Sequence, residues 1–568
     1  MTRTEHELTR LKKDLLLIVP PTYPRGRAPD YNPKPPLGLE YLVAATEEFV
    51  STGLVDFDVL GQSAREGVEE IIKLDPILLG ITVLQRALPS VRIIHQELRQ
   101  RDYKGTIVYG GMGATLSYQE ILREFRDLNC CVVRGEAEEV LPPLAISIVE
   151  GYDWRTNCPS LAFLDPSDSE TIITRAVVIP PDPRVVEPPT RIGYEYYSKK
   201  SGYGTFMTSR GCPWSWCEFC SNAVFERQHC GEVWRPRDPG QVIQEIIELY
   251  QTYGTTRFKT NDPNLFGPPD NFAHVWQLCQ EIIFAKRAGE LPEELSLMSF
   301  VRGEDVAGQT RLLKEMKRAG WDRLLLGVET SDNYVLEEKF KKGERIEVLT
   351  RAIRDIRTAG MSVVAGFMIF HPWSTLSGIQ QDLNFLRQMD LMVTLSKSLR
   401  VFNGVPMQES LAREEKLQKH SPFETYHEYI VPIEVAQTYY VLKKLHVLIE
   451  DPIRKLAQGR IWQIKAQGVG FEDRKGFVDL SQLYWEMESG LLQACLDYFD
   501  VGRSAWSVDQ AITQIYQGPL GKLIEQLGLD GLIEEEIISL KEFKNEVFTA
   551  LQDNSKNTLR EEYVWEQN

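Results

Sequence analysis

Three of the nine cysteines in this 568-residue chain fall within nine residues, in the run SRGCPWSWCEFCSN at 209–222. Cys212, Cys217 and Cys220 are spaced C-x4-C-x2-C. Thiolates are soft ligands suited to iron–sulfur clusters, zinc or copper(I). Three close thiolates can hold three irons of a [4Fe–4S] cube and leave the fourth open to a second molecule. Zinc would ask for a fourth protein ligand, for which Cys230 and His229 are nearest in sequence. Three structural cysteines without a ligand are the plain alternative. The other six cysteines are too few and too scattered for a disulfide framework, and Cys130 and Cys131 read as core of a strand.

A second group of informative residues lies in YGGMGAT (109–115) and VVRGEAEEVLPPL (132–144). Gly110 and Gly111, followed by Met112, let the backbone approach a bulky ligand and tolerate positive φ. Gly135 sits in the next turn, with Glu136 beginning the helix that follows. The same residues would also serve an ordinary tight strand–helix turn.

The elements that must position these residues are read from periodicity. Apolar, β-branched runs at 14–20, 54–60, 77–83, 106–110 and 130–134 alternate with amphipathic helical patterns. That alternation predicts a Rossmann-like, doubly wound parallel sheet over 1–150, with ligands at the carboxyl ends of its strands. The Pro- and Gly-rich stretch 21–38 is a loop long enough to be functional. Residues 151–200, with PPDPRVVEPP at 180–189, read as a linker. Six further strands, at 204–209, 256–260, 295–300, 323–329, 362–370 and 394–402, predict a partial (β/α)6 barrel over 201–425, open at one side. From 426 to 568 the pattern is mostly α-helical, a domain expected to cap the site and choose the substrate.

A net charge of −17, from 64 basic and 81 acidic residues, disfavours broad nucleic-acid binding. The longest apolar runs, such as LLLIV at 15–19, stop far short of the roughly 18 residues a membrane span needs. No basic stretch followed by an apolar one opens the chain. A cytoplasmic α/β enzyme without a membrane span is the expectation.

The cysteine loop after the first barrel strand, the segment 238–266 ending in TNDPNLF, GVETSD at 327–332 and AGFMIFHPWST at 365–375 resemble the radical S-adenosylmethionine (SAM) superfamily. With the N-terminal glycine turns, the chain as a whole resembles its cobalamin-binding branch. The resemblance covers about 205–410 and 14–150. One departure is the first cysteine gap, four residues here where the family has three.

The resemblance implies that Cys212, Cys217 and Cys220 are the metal-binding and catalytic trio of a [4Fe–4S] cluster whose fourth iron chelates SAM. Reductive cleavage would then give a 5′-deoxyadenosyl radical. Asp262, at the end of the second barrel strand, would hold the SAM amino group, and Glu329 would reach the ribose or ammonium. Phe219 would lie near adenine. Plain alternatives are an Asx-type cap for Asp262 and a helix-terminal salt link for Glu329.

For cobalamin, the nucleotide tail would run beside Gly110 and Gly111, with Met112, Gly135 and Glu136 in the same site. The corrin would pack over the third-strand loop from Thr82 to Arg86. The chain lacks the Asp-x-His-x-x-Gly motif of other cobalamin domains. The lower face would therefore meet Leu84 or Gln85, while His95 reads as core or surface.

The implied activity is methylation of an unactivated carbon of a small molecule or peptide, through methylcobalamin and the radical. The alternatives are cyclisation, rearrangement or oxidation without methyl transfer, and a non-catalytic zinc- or cluster-binding interaction protein. An electron donor such as flavodoxin or ferredoxin is the implied partner. Trp214 and Trp216 either shield the cysteine loop or merely pack it. Arg235 and Arg237 either attract a carboxylate or pair with the following helix.

Overall fold

Five apolar runs of the N-terminal lobe become parallel strands: β1 (Leu15–Val19), β2 (Thr52–Asp56), β3 (Leu78–Thr82), β4 (Thr106–Gly110) and β5 (Cys130–Val133). The computed structural model describes residues 13–26, 34–228, 232–269, 272–418, 427–450, 474–500, 505–520, 522 and 538–559. The strands are buried on both faces, which is why they read as unbroken apolar runs rather than alternating ones. The sheet order is β2-β1-β3-β4-β5-β6-β7. Its direction of winding reverses between β1 and β3, so a crevice opens at the carboxyl ends there.

Two readings of this lobe change. The run expected as one strand over 54–60 ends at Asp56, because its carboxylate accepts the Val59 N–H at 2.9 Å and caps a short helix, Phe57–Leu60. The stretch expected as a linker, 151–200, contains an antiparallel hairpin, β6 (Leu161–Asp165) and β7 (Asp168–Thr174). The hairpin adds to the β5 edge, which would otherwise expose an unpaired strand.

The central lobe contains β8 (Gly204–Phe206), β9 (Ser209–Gly211), β10 (Trp234–Pro236), β11 (Arg257–Thr260), β12 (Ser296–Val301), β13 (Trp321–Glu329) and β14 (Ser362–Phe367). Five of them form one parallel sheet in the order β14-β13-β12-β11-β8, while β9 and β10 pair as a separate antiparallel ribbon. Alternate residues such as Phe258, Leu297, Leu324 and Leu326 bury against an outer layer of helices, among them Pro239–Tyr253, Phe272–Arg287 and Ile346–Thr358. On the opposite face Phe300 and Val364 stay exposed among the described residues.

The sixth strand expected over 394–402 shrinks to two isolated bridges, a parallel one between Phe370 and Ser398 and an antiparallel one between Val401 and His427. Its backbone is satisfied from elsewhere. The Glu488 carboxylate accepts the N–H groups of Leu395 (2.8 Å) and Ser396 (3.3 Å). Glu488 belongs to the helix Arg474–Asp500, which with Ile433–Leu445, Ala505–Gln517 and Leu540–Gln552 shares the barrel's apolar core along this open edge. No helix among the described residues is long and apolar enough to cross a membrane.

Gly204 begins β8 where the outer layer is tightest. A Cβ there would stand 2.2 Å from the Tyr194 hydroxyl and 2.6 Å from the Phe258 ring. Gly204→Ala is expected to destabilise the protein by about 1–3 kcal/mol through overpacking, read as a lower midpoint in denaturant unfolding. An unchanged midpoint would contradict this packing.

Candidate functional site between the two lobes

The cysteine loop leaves β9 directly, and its shape is set by a few bonds. Gly211 precedes Cys212 at φ +85°, and a Cβ there would overlap the Val233 carbonyl of the paired ribbon. The extra residue of the four-residue gap is taken up at Ser215. Ser215 is buried at φ +41°, its hydroxyl donating to the Cys212 carbonyl at 2.5 Å. Further along, the Cys220 N–H donates to the Cys217 carbonyl at 3.2 Å, and Cys220 begins the helix Ser221–Arg227. Glu218 ties the loop to the rest of the barrel, its N–H donating to the Phe340 carbonyl and its carboxylate accepting from Ser410. Phe219 packs edge-on against Phe340, 5.1 Å between centroids. The Trp214 indole donates to the Lys341 carbonyl at 2.7 Å, under the Arg302 guanidinium, while Trp216 points outward beside Arg227.

The three thiols sit on one short loop, and Cys212 influences both Cys217 and Cys220. Three soft thiolates are a donor set suited to an iron–sulfur cube, each at a different corner iron, whereas zinc draws four ligands onto one point; among the described residues no group of three or more His, Cys, Asp or Glu converges on a single ion. The proposed zinc ligands His229 and Cys230 lie outside the described residues. Burial pushes the Cys217 thiol up to about 12, opposed by the Lys342 ammonium. Lys342 is in turn held 3.6 Å from Glu329 and 3.1 Å from Glu344.

Glu329 ends β13 with φ +69°, at a register shift against β14. Such a conformation is uncommon outside glycine and marks a constrained position. Gly327 makes room for it, since a Cβ there would meet the Glu329 carboxylate at 2.4 Å. Glu329 lines a cavity of about 360 Å³ together with Gly366, Met368, Thr394 and Lys397.

Asp262 is engaged within the protein. Its carboxylate accepts the N–H groups of Thr208 (2.7 Å) and Ser209 (3.0 Å) and the Thr208 hydroxyl (2.9 Å). Burial raises it to about 6 against these bonds. It thus pins the turn that feeds the cysteine loop. Neighbouring Asn264 is spent likewise on Phe266, Asp305 and Arg302.

A cavity of about 970 Å³ separates the strand ends of the two lobes, at the upper end of the ~300–1,000 Å³ typical of ligand sites. Thr82, Leu84, Gly110, Gly111, Met112, Gly135 and Glu136 all line it, facing Met207, Arg210, Phe225 and Asn261 from the barrel. Gln85 is buried beside them but not on the wall. A Cβ on Gly110 would meet nothing within 4 Å, and Gly111 turns the chain at φ +87°. Leu84 is 46% exposed into this space. Among the described residues no histidine is on the wall. His95 is buried on the other face, bonded to Tyr109 and Asp127 and stacked on Phe125. An open backbone floor beside apolar side chains such as Leu37, Leu84 and Met112 suits a flat macrocycle. Among the described residues, none from the C-terminal helices is on this wall.

Glu136 lines the cavity with both oxygens already taken. Arg210 on β9 bonds it at 2.6 Å, and Arg235, directly opposite Arg210 on β10, bonds it through both terminal nitrogens. Arg210 also reaches Glu138 at 2.6 Å, and Arg235 lies 3.5 Å from Glu226. Arg237 pairs with Glu245 of the following helix at 2.6 Å. Arg210, Glu138, Glu226, Lys342 and Glu344 escaped the sequence reading. Arg210 and the Lys-Lys-Gly-Glu-Arg run at 341–345 were visible only as charge beside the cysteines and beyond GVETSD.

A model of the radical SAM superfamily matches residues 206–386, and a B12 binding domain model matches 29–145. The chain is 29% identical over 356 residues to an anaerobic magnesium-protoporphyrin IX monomethyl ester cyclase of Synechocystis sp., covering 60% of this chain and 66% of that protein. It is 24% identical over 388 residues to an uncharacterized methyltransferase of Pyrococcus horikoshii, covering 66% and 78%. The match thus spans about two thirds of the first relative's length. In structure it is similar to the cobalamin-dependent S-adenosylmethionine radical enzyme OxsB with aqua-cobalamin bound, with TM-score 0.70, 16% identity and coverage of 96% and 85%. It is also similar to the radical S-adenosylmethionine methyltransferase TsrM of Kitasatospora setae, with TM-score 0.57, 20% identity and coverage of 73% and 81%.

Two outcomes follow from the bonding around the site. Asp262→Ala would strand three buried donors, at about 1–3 kcal/mol each, and lower the iron bound per chain, whereas Asp262→Asn retains an acceptor and should fall between. Equal iron content in all three proteins would contradict the pinning role. Burial, and then Glu136, raise Glu226 from an ordinary 4.5 to about 7. The folded protein therefore keeps a proton that the unfolded chain has lost, and this group's contribution to stability declines as pH rises from 4.5 to 7. Relative to Glu226→Gln, the wild type should lose up to about 1.4 kcal/mol per pH unit across that window. Parallel stability profiles would refute the shift.

Proposed function

The chain belongs to the cobalamin-binding radical SAM superfamily, and from that premise we propose that it methylates an unactivated carbon of a small molecule or peptide. Its cofactors are a [4Fe–4S] cluster, SAM and cobalamin. When bound, the cluster with SAM supplies a 5′-deoxyadenosyl radical and cobalamin supplies a transferable methyl group.

The protein's own part is placement. Cys212, Cys217 and Cys220 would hold the cluster on the loop that leaves the cavity's barrel side. Glu329, fixed by its constrained backbone and Lys342, would meet the ribose or ammonium of SAM from the neighbouring recess. Phe219, packed on Phe340, would flank the adenine. Asp262 acts one step back, holding Thr208 and Ser209 so that the loop is presented correctly. On the facing lobe, Gly110 and Gly111 leave room for a nucleotide tail against bare backbone, with Thr82 and Met112 beside it. Glu136 contributes by joining the lobes through Arg210 and Arg235.

The observation that carries the methyl-transfer reading is the wall around Leu84. Among the described residues this wall would offer a bound corrin the exposed Leu84 side chain and no imidazole, and the group held there would supply the transferable methyl. After anaerobic reconstitution with iron, sulfide and hydroxocobalamin, the absorption and EPR spectra should show no nitrogen coordination. Products of incubation with SAM, reductant and candidate substrates should gain one methylene unit in mass. Leu84→His is expected to introduce imidazole coordination and slow methyl transfer at least tenfold. A product of unchanged carbon count would overturn methylation in favour of cyclisation or rearrangement, and a colourless protein holding one zinc would overturn both.

A further inference from the structure

Three cations lie near the opening between the lobes, and among the described residues none has an acidic partner. Lys34, on the loop leading from β1 to the next helix, and Arg86, on the loop from β3, both line the large cavity. Lys259 comes from the other lobe, on β11 two residues before Asn261, which lines the same cavity. Its neighbour Phe258 packs edge-on with Phe206 in the outer core, so by strand alternation Lys259 points to the concave side. There its ammonium stands 4.6 Å from the centroid of Phe300. Phe300 is 40% exposed although β12 is an interior strand, which leaves an aromatic face open to the lumen.

The three charges sense one another. Burial and then Arg86 lower Lys34, and burial and then Lys34 lower Lys259, to about 8. Among the described residues none of the three forms an ion pair. The acids on the cavity wall are committed elsewhere: Glu136 and Glu138 to Arg210, Glu226 to Arg235, Asp58 to Thr22, and Asp56 to Tyr197 and Val59. In a chain of net charge −17, a group of cations with no ion pair among the described residues is the exception, and an anion placed among the three would relieve its self-repulsion.

We propose that Lys34, Arg86 and Lys259 hold an oxyanion of the substrate, a carboxylate or phosphate, with Phe300 receiving the flat or apolar part attached to it. The proposal deepens the functional reading above and rests on it for calling the ligand a substrate. Lys34 and Arg86 on one lobe and Lys259 on the other would let the substrate touch both faces at once, which a group lying wholly within either cofactor site would not need.

The test titrates inorganic phosphate, and separately acetate, into the reconstituted holoprotein by calorimetry, with chloride keeping the ionic strength constant. Wild type should bind phosphate with a measurable heat. Lys259→Met and Lys34→Met should each weaken it at least tenfold, and Lys314→Met on the outer helix Thr310–Ala319 should not. Cobalamin content and SAM affinity are measured in the same variants. If either falls in step with phosphate binding, the cations serve a cofactor and the substrate assignment is overturned. It is equally overturned if wild type binds no phosphate, or if Lys314→Met weakens binding as much. Failure of the wild type to take up cobalamin would overturn the functional reading instead, and the same titration of the full chain before reconstitution then reads the cation site by itself.

Discussion

The arrangement turns on one carboxylate, Glu136, held between two arginines of the opposite lobe. Arg210 and Arg235 face each other across a two-stranded ribbon, where two like charges would repel. The Glu136 carboxylate reaches across the lobe boundary and accepts from both. Taking such charges out of water is costly, and the cost is offset only when geometry and hydrogen bonding are both satisfied. The planar guanidinium suits this task better than an ammonium, because it offers several donors in a fixed fork. A small displacement between the lobes would leave three buried charges short of partners, so the network penalises sliding. Arg210 lies two residues before Cys212 and Glu136 next to the Gly135 turn. The same contact therefore sets the cysteine loop and the glycine turns opposite each other, and the large cavity is the space this leaves.

Much of the fold was legible because parallel strands buried on both faces announce themselves as apolar runs. The thiol trio and the glycine turns were legible because few structural demands put those residues at such spacing. What escaped has physical causes. The hairpin within 151–200 contains DSETIIT, whose polar alternation at a sheet edge looks like loop in a Pro-rich context. The sixth strand failed because Glu488, about ninety residues away in sequence, satisfies its backbone, and no local pattern reports such a partner. Asp262 illustrates the limit for single residues. Its position at a strand end was read correctly, but only the three donors around it reveal that its oxygens are committed to the Thr208–Ser209 turn. Glu136 was chosen for the glycine turn beside it and turns out to be engaged by arginines that no spacing rule connects to it.

Several backbone conformations rarely open to side chains fall where the two lobes present their loops. Ser215 and Glu329 sit at positive φ without being glycine, and Gly111, Gly135 and Gly211 occupy the same region of backbone space. Each is held by something specific: Ser215 by its bond to Cys212, Glu329 by Lys342, Gly211 by the crowded β10 side of the ribbon. Strain of this kind survives only where its surroundings over-determine it. Here it buys shape, letting a four-residue cysteine gap close into the turn that a shorter one would make with less backbone.

The inner face of the barrel follows a different rule from the boundary between the lobes. At the boundary every wall carboxylate has a partner and the geometry is closed. In the lumen, Phe300 and Val364 remain about as exposed as surface residues, although they project from strands of the central sheet. Apolar side chains on the concave face of a sheet are normally covered by a second layer. Among the described residues the helices pack on the convex face, and Phe300 and Val364 are left uncovered on the other. A boundary tied by charge-paired side chains beside a sparsely polar lumen separates two tasks: the first holds the strand ends of the lobes opposite each other, and the second leaves recognition to a few side chains that can vary without disturbing those pairs.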